Sequence, residues 1–150
     1  MTEVIATSPQ RTPWHLLLVG VVGLFWNGYG GYDYTMTKIG GDQYLRDFGM
    51  TEPQIDYFHA MPAWMTAVWA IGVWGAVLGT ILLLLRRKLA LPVFIASFAA
   101  FILGVIYQYA LTNSAEVMGA QSLLMTAIIT AGCLFFVWYA WAMAKSGVLQ

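Results

Sequence analysis

Long apolar runs alternate with short polar breaks along this chain. Four stretches stand out, at residues 14–32, 63–85, 89–111 and 120–144, and residues 63–85 carry no charged side chain. A helix crossing a ~30 Å hydrocarbon core needs roughly 20 mostly apolar residues. A core helix of a soluble domain would show a polar stripe, and 63–85 has none. The pattern predicts an all-α protein, a polytopic membrane four-helix bundle with short interfacial helices between spans one and two. The first run ends in Asn27-Gly28-Tyr29-Gly30-Gly31-Tyr32-Asp33 and not in a small-residue cleavage site, so it reads as a retained helix.

Composition agrees. The chain is 60% hydrophobic and 9% charged, against about 25% charged in a soluble domain. Its charges sum to zero but are sorted by side. Arg86-Arg87-Lys88 closes a turn between two runs, and basic residues in short loops stay in the cytoplasm. Alternation then places both termini inside, with a flexible cytoplasmic tail at 1–13 and a cytoplasmic tail at 145–150. Five basic residues and Glu3 fall inside; Lys38 and Arg46 fall outside with six acids, Asp33, Asp42, Asp47, Glu52, Asp56 and Glu116. Cys133, the single cysteine, lies mid-way along the fourth run, where an apolar-packed thiol is expected.

Residues 33–62 form the one long connection, and a connection of that length calls for structure of its own. Asp42 can cap a short helix that Gly49 stops. Thr51-Glu52-Pro53-Gln54 reads as a capping box for a second helix running to about Met61. Ile55, Phe58 and Met61 give it an apolar stripe for the bilayer surface or the span ends.

Polar groups within or beside the apolar runs are few. Asn27 is placed about two-thirds of the way out along span one, Asp33 at its outer end, Gln108 near the outer end of span three, and Gln121 at the start of span four. Such groups face a bundle interior or a cavity. Together they suggest an outward-facing polar pocket, with Asp56, His59 and Glu116 at its rim; the same residues also fit plain interhelical hydrogen bonding. Asp56 and His59, three apart on a helix, share a face, but one Asp and one His are half of a zinc site. No metal, cofactor or catalytic constellation is expected, and no enzyme activity. Gly72, Gly75 and Gly79 form a small-residue row on span two, suited to close helix contact within the bundle or to a homodimer.

The segments Phe25-Trp26-Asn27-Gly28, Tyr32-Asp33-Tyr34, Tyr57 to Trp64 and Trp69 to Gly75, with residues 82–87 and Trp138-Tyr139-Ala140, resemble a family of small four-span bacterial inner-membrane proteins. The resemblance covers nearly the whole chain. Members are mostly uncharacterised and often labelled sugar transporters. It implies a multi-pass protein of the bacterial inner membrane. The function expected is that of an accessory or interaction protein with a periplasm-facing acidic surface; the alternative is a small oligomeric transporter or solute-binding protein. The partners expected are the lipid bilayer and a homo-oligomer or larger membrane complex, with no nucleic acid.

Overall fold

The structure is a computed structural model that describes residues 11–150. The greater part of the N-terminal tail, residues 1–10 with Glu3, lies outside the described residues. Among the described residues there is no strand. The chain forms α1 (Trp14–Ile39), α2 (Gly41–Asp47), α3 (Glu52–His59), α4 (Ala63–Leu84), α5 (Ala90–Ile106), a π turn (Tyr107–Leu111) and α6 (Ser114–Lys145). Ala63–Leu84, Ala90–Leu111 and Ser114–Lys145 are long and apolar enough to cross a membrane. At 26 residues α1 is long enough as well, but His15, Asn27, two tryptophans and several glycines dilute its apolar character, and it is not among those three.

The element boundaries follow local chemistry. Pro13 and Pro62 precede α1 and α4, where a missing N–H costs nothing. At 26 residues α1 outruns its apolar stretch and ends at Gly40, with Gly41 at φ +55°. Sequence reading ended this span near Tyr32; the polar residues after it end the apolar run but not the helix, because Asp33, Tyr34 and Lys38 all find partners along it. Asp42 is not the cap of α2. Gly40 takes that position and Asp42 lies in the first turn. Gly49 does stop α2, at φ +83°, with Met50 N–H returning to the Leu45 carbonyl at 3.1 Å. The α3 capping box forms, with Thr51 N–H donating to Gln54 Oε1 at 3.0 Å.

The helices α4 and α5 make a tight antiparallel hairpin around residues 85–89. Gly75 and Gly79 face Ser97 and Phe94, and Ser97 Oγ donates to the Gly72 carbonyl at 2.6 Å. On its other side α4 packs antiparallel on α1 through the pairs Gly20–Leu84, Gly23–Thr80, Gly31–Trp74 and Tyr34–Trp69. The fourth long helix, α6, lies along α5. It also touches α1, through His15 Nδ1 to Tyr139 Oη at 2.6 Å and Gly23 against Phe136. Inside α6, Gly119 at φ 72°, ψ −174° breaks the helix, so the apolar rod starts at Ala120 as its sequence suggests. Only 17–22% of the apolar windows of α4, α5–π and α6 is buried within the chain, and large side chains such as Ile71, Trp74, Leu103 and Leu134 stay exposed for lipid or protein neighbours.

The densest core lies at the Arg86-Arg87-Lys88 end: Leu16, Leu83, Phe94, Phe136, Val148 and Leu149 pack together. The C-terminal residues Val148 and Leu149 are therefore docked on this core. Gly147 at φ +77° reverses the chain after α6, and Val148 and Leu149 are 4% and 1% exposed. Gln150 N–H donates to the Arg86 carbonyl at 2.7 Å, Lys88 N–H donates to the Gln150 main-chain oxygen at 2.9 Å, and Arg86 Nε donates to the Val148 carbonyl at 3.0 Å. These bonds hold Arg86 at φ +57°, a left-handed conformation that costs an L-residue roughly 1–2 kcal/mol.

Candidate functional site

The polar side chains expected to line one pocket are distributed over three places. Asn27 Nδ2 donates to Thr80 Oγ1 at 2.9 Å, and that hydroxyl donates to the Ala76 carbonyl at 2.8 Å. Thr80 lies four residues from the end of α4 at Leu84, or ~6 Å along the axis. Asn27 thus lies mid-way along the 26-residue α1, on the basic-turn side of the middle of α4, and not two-thirds of the way toward α2. The structure assigns it to an α1–α4 seam and removes it from any pocket at the opposite end.

Gln108 belongs to a second seam, between the π turn and α6. Its Nε2 donates to Ser122 Oγ at 2.7 Å, and Tyr109 Oη lies 3.3 Å from Ser122 Oγ and 3.2 Å from Thr126 Oγ1. The π turn rotates Gln108 and Tyr109 together onto α6; π turns of this kind recur where a helix must re-aim side chains. Gln121, next to Ser122, points outward and is exposed, as is Glu116 in the turn before Gly119.

The third place is the cap formed by α2 and α3. Asp33 accepts a hydrogen bond from Tyr44 Oη at 2.8 Å, which folds α2 back onto α1. Burial and this carboxylate both push the Tyr44 phenol up, burial the more strongly. His59 Nε2 meets Asp42 Oδ1 at 2.8 Å, Asp42 Oδ2 lies 3.8 Å from Arg46, and Arg46 Nε and Nη2 reach Glu52 at 2.9 and 3.2 Å. The hydrogen bond from Arg46 holds the Glu52 carboxyl below its ordinary value, and the reverse effect raises Arg46. Sequence spacing paired His59 with Asp56. In the structure α2 supplies Asp42 instead, leaving Asp56 exposed. The apolar stripe of α3 turns to the span ends: Ile55 is 1% exposed and Phe58 stacks near Trp69.

Between α1 and this cap is a cavity of about 190 Å³ lined by Thr37, Lys38, Gly41, Asp42, Leu45, Phe58 and His59. Lys38 Nζ is 5.8 Å above the Trp69 ring and 3.4 Å from Thr66 Oγ1, with no carboxylate partner among the described residues. The arrangement offers one ammonium, one imidazole–carboxylate pair and an apolar floor, which suits a small solute with an anionic group or several hydroxyls. Of its lining, sequence reading singled out His59. Thr37 and Lys38 were hidden because the apolar run ended before them. The available signal was the i, i+4 spacing of Asp42 and Arg46, with Glu52 following. Among the described residues no three His, Cys, Asp or Glu side chains converge.

The Gly72, Gly75 and Gly79 row is covered by α5 of the same chain. On α1, Gly23, Asn27 and Gly31 recur every four residues as a second such row, and it is covered by α4 and, at Gly23, by Phe136 of α6. Both small-residue faces are used internally.

These features define a class: an all-helical protein built on apolar helices of membrane-crossing length, with hydrogen-bonded seams and an ion-paired helical cap at one end. No family model, curated protein or solved structure matches the chain, so the functional reading stands on its own geometry.

Proposed function

We propose that this is a four-span integral protein of the bacterial inner membrane, with both termini cytoplasmic, that serves as a non-catalytic accessory or interaction subunit. Its contact surface is the α2–α3 cap on the periplasmic side. The observation that carries this is the fate of the polar groups. Asn27 with Thr80, and Gln108 and Tyr109 with Ser122 and Thr126, satisfy one another between helices. That fits structural seams and leaves no evident polar path along the bundle. The cap instead is braced by its ion pairs, while Asp56 and Glu116 stay exposed without an ion-pair partner among the described residues. Antiparallel packing of α1 on α4 along most of its length supports α1 as the fourth span. The sorting of basic and acidic residues supports the orientation.

Affinity isolation in mild detergent tests the proposal. A stoichiometric partner that is lost in Asp56→Lys/Glu116→Lys and kept in Gln43→Ala is the expected result. A chain that runs alone overturns it.

A second reading, solute binding, is favoured by the cavity beside Lys38. Thermal shift of the purified protein with monosaccharides and sugar phosphates tests it. Stabilisation that vanishes in Lys38→Ala supports binding there, and no stabilisation by any of them overturns it.

A further inference from the structure

The end of the bundle opposite the cap has its own organisation. The Asp and Glu side chains among the described residues all lie elsewhere: on the far part of α1, in the cap, or at the start of α6. Arg87 and Lys88 are both exposed and have no ion-pair partner among them. Leu85 and Leu89, on either side, are also strongly exposed, and so are Trp14, Trp138 and Trp141 around the same end. Apolar side chains flanking two cations match the layering of a phospholipid, with its charged headgroup above its glycerol and acyl chains.

The backbone carrying these cations is fixed. Gln150 bridges the turn by donating to the Arg86 carbonyl and accepting from Lys88 N–H, and Arg87 N–H returns to the Leu82 carbonyl at 2.8 Å. The strap that brings Gln150 there is anchored by the burial of Val148 and Leu149 and by the left-handed turn at Gly147. A ligand meeting this turn loses little to ordering the backbone, which is the condition for a defined site in place of a diffuse positive field.

We propose that the Arg87–Lys88 turn is a binding site for the headgroup phosphodiester of an anionic phospholipid. Arg87 and Lys88 hold the phosphate, Leu85 and Leu89 contact the chains below it, and the 147–150 strap keeps the turn in shape. A bidentate guanidinium beside an ammonium is a suitable pair for a phosphate oxygen set. The proposal rests on the membrane part of the reading above and not on the role of the cap.

The test is native mass spectrometry of purified protein released from mixed phosphatidylglycerol and phosphatidylcholine vesicles. The wild type is expected to retain phosphatidylglycerol at least tenfold over phosphatidylcholine. Arg87→Gln/Lys88→Gln removes that preference. Gly147→Val keeps every charge but loosens the strap, and is expected to weaken the preference severalfold. Lys145→Gln removes a nearby charge that sits 5.0 Å over Trp141 and leaves the preference within about twofold. Equal retention of the two lipids by the wild type overturns the site. So does a loss in Lys145→Gln as large as that in Arg87→Gln, which would mark a diffuse field. Displacement of the lipid by millimolar glycerol phosphate also overturns it, since the turn would then take a free phosphate. A protein that fails to enter vesicles would refute the membrane reading itself, whereas insertion without lipid preference refutes only the site.

Discussion

Replacing Gly79 by alanine tests the α4–α5 interface most directly. A methyl group at Gly79 would lie 2.8 Å from both Cδ1 and Cε1 of Phe94. That ring cannot simply swing away. It is 3% exposed and stacks on Phe136 at 5.5 Å between centroids, with Phe136 in turn against Gly23. Gly72 provides the matched control on the same helix face: a methyl there would have its nearest neighbours at 3.8 Å, an ordinary van der Waals contact. Both changes gain the same helix propensity, about 1 kcal/mol from glycine to alanine. That gain cancels in the comparison and leaves the overpacking cost, roughly 1–3 kcal/mol. Gly72→Ala is therefore expected to match or exceed the wild type. Gly79→Ala should fall below Gly72→Ala by about 1–3 kcal/mol, and Gly75→Ala, 3.0 Å from Ser97 Cβ, should lie between them. Equilibrium unfolding in detergent, followed by helicity, measures the series. Equal stabilities for Gly72→Ala and Gly79→Ala would refute the packing described. So would a series that changes oligomeric state but not unfolding, because the row would then face a second molecule.

The Asn27–Thr80 seam should behave as one unit: Asn27→Ala and Thr80→Val each cost about 0.6–2 kcal/mol, and the double variant costs clearly less than their sum in a double-mutant cycle. Strict additivity would show that the bond contributes nothing. In the cap, the folded Glu52 carboxyl is held below its ordinary value of 4.5. Its contribution is complete above about that pH and is lost as the pH falls through the folded value. Amide exchange in α2 and α3 should therefore accelerate on acidification, and less so in Glu52→Gln. Tyr44 carries the opposite sign. Its raised phenol contributes below its ordinary value of 10.0 and is lost as the pH rises past the folded value, so alkaline titration should release α2 from α1 in the wild type while Tyr44→Phe shows no such step. Gly119, at φ 72° and ψ −174°, sits where only glycine is at ease; Gly119→Ala should cost about 1–3 kcal/mol in unfolding free energy, and an unchanged stability would show that the junction is free to rearrange.

The helical rods were legible because their signal is redundant: twenty apolar residues in a row leave one solution for the backbone. The stops at Gly49 and the capping box at Thr51 were legible for a similar reason, since each is decided by residues three or four apart. What composition obscured was the end of α1. Asp33 and Lys38 look like the start of a loop in a hydropathy pattern, yet each is satisfied along the helix, Asp33 by Tyr44 and Lys38 by Thr66 and the Trp69 face. Apolarity and helicity are separate properties, and α1 continues for seven residues after Tyr32, to Ile39.

The candidate site was less legible because depth along a rod does not determine which neighbour a side chain meets. Asn27 and Gln108 were grouped by counting residues from an assumed outer boundary. The offset between α1 and α4, with Gly20 opposite Leu84 and Tyr34 opposite Trp69, moves Asn27 toward the basic turn and into a different seam. His59 shows the same limit in the cap: its helical neighbour Asp56 is close in sequence, but the turn between α2 and α3 brings Asp42 to 2.8 Å. The charge sorting, by contrast, survives as spatial sorting. It leaves an ion-paired acidic cap at one end and exposed Arg87 and Lys88 on a braced turn at the other. A long-range charge pattern is insensitive to one-turn shifts in helix register, and a pairwise contact is not. That is why the two ends of this molecule could be read from its sequence while its hydrogen-bonded interior could not.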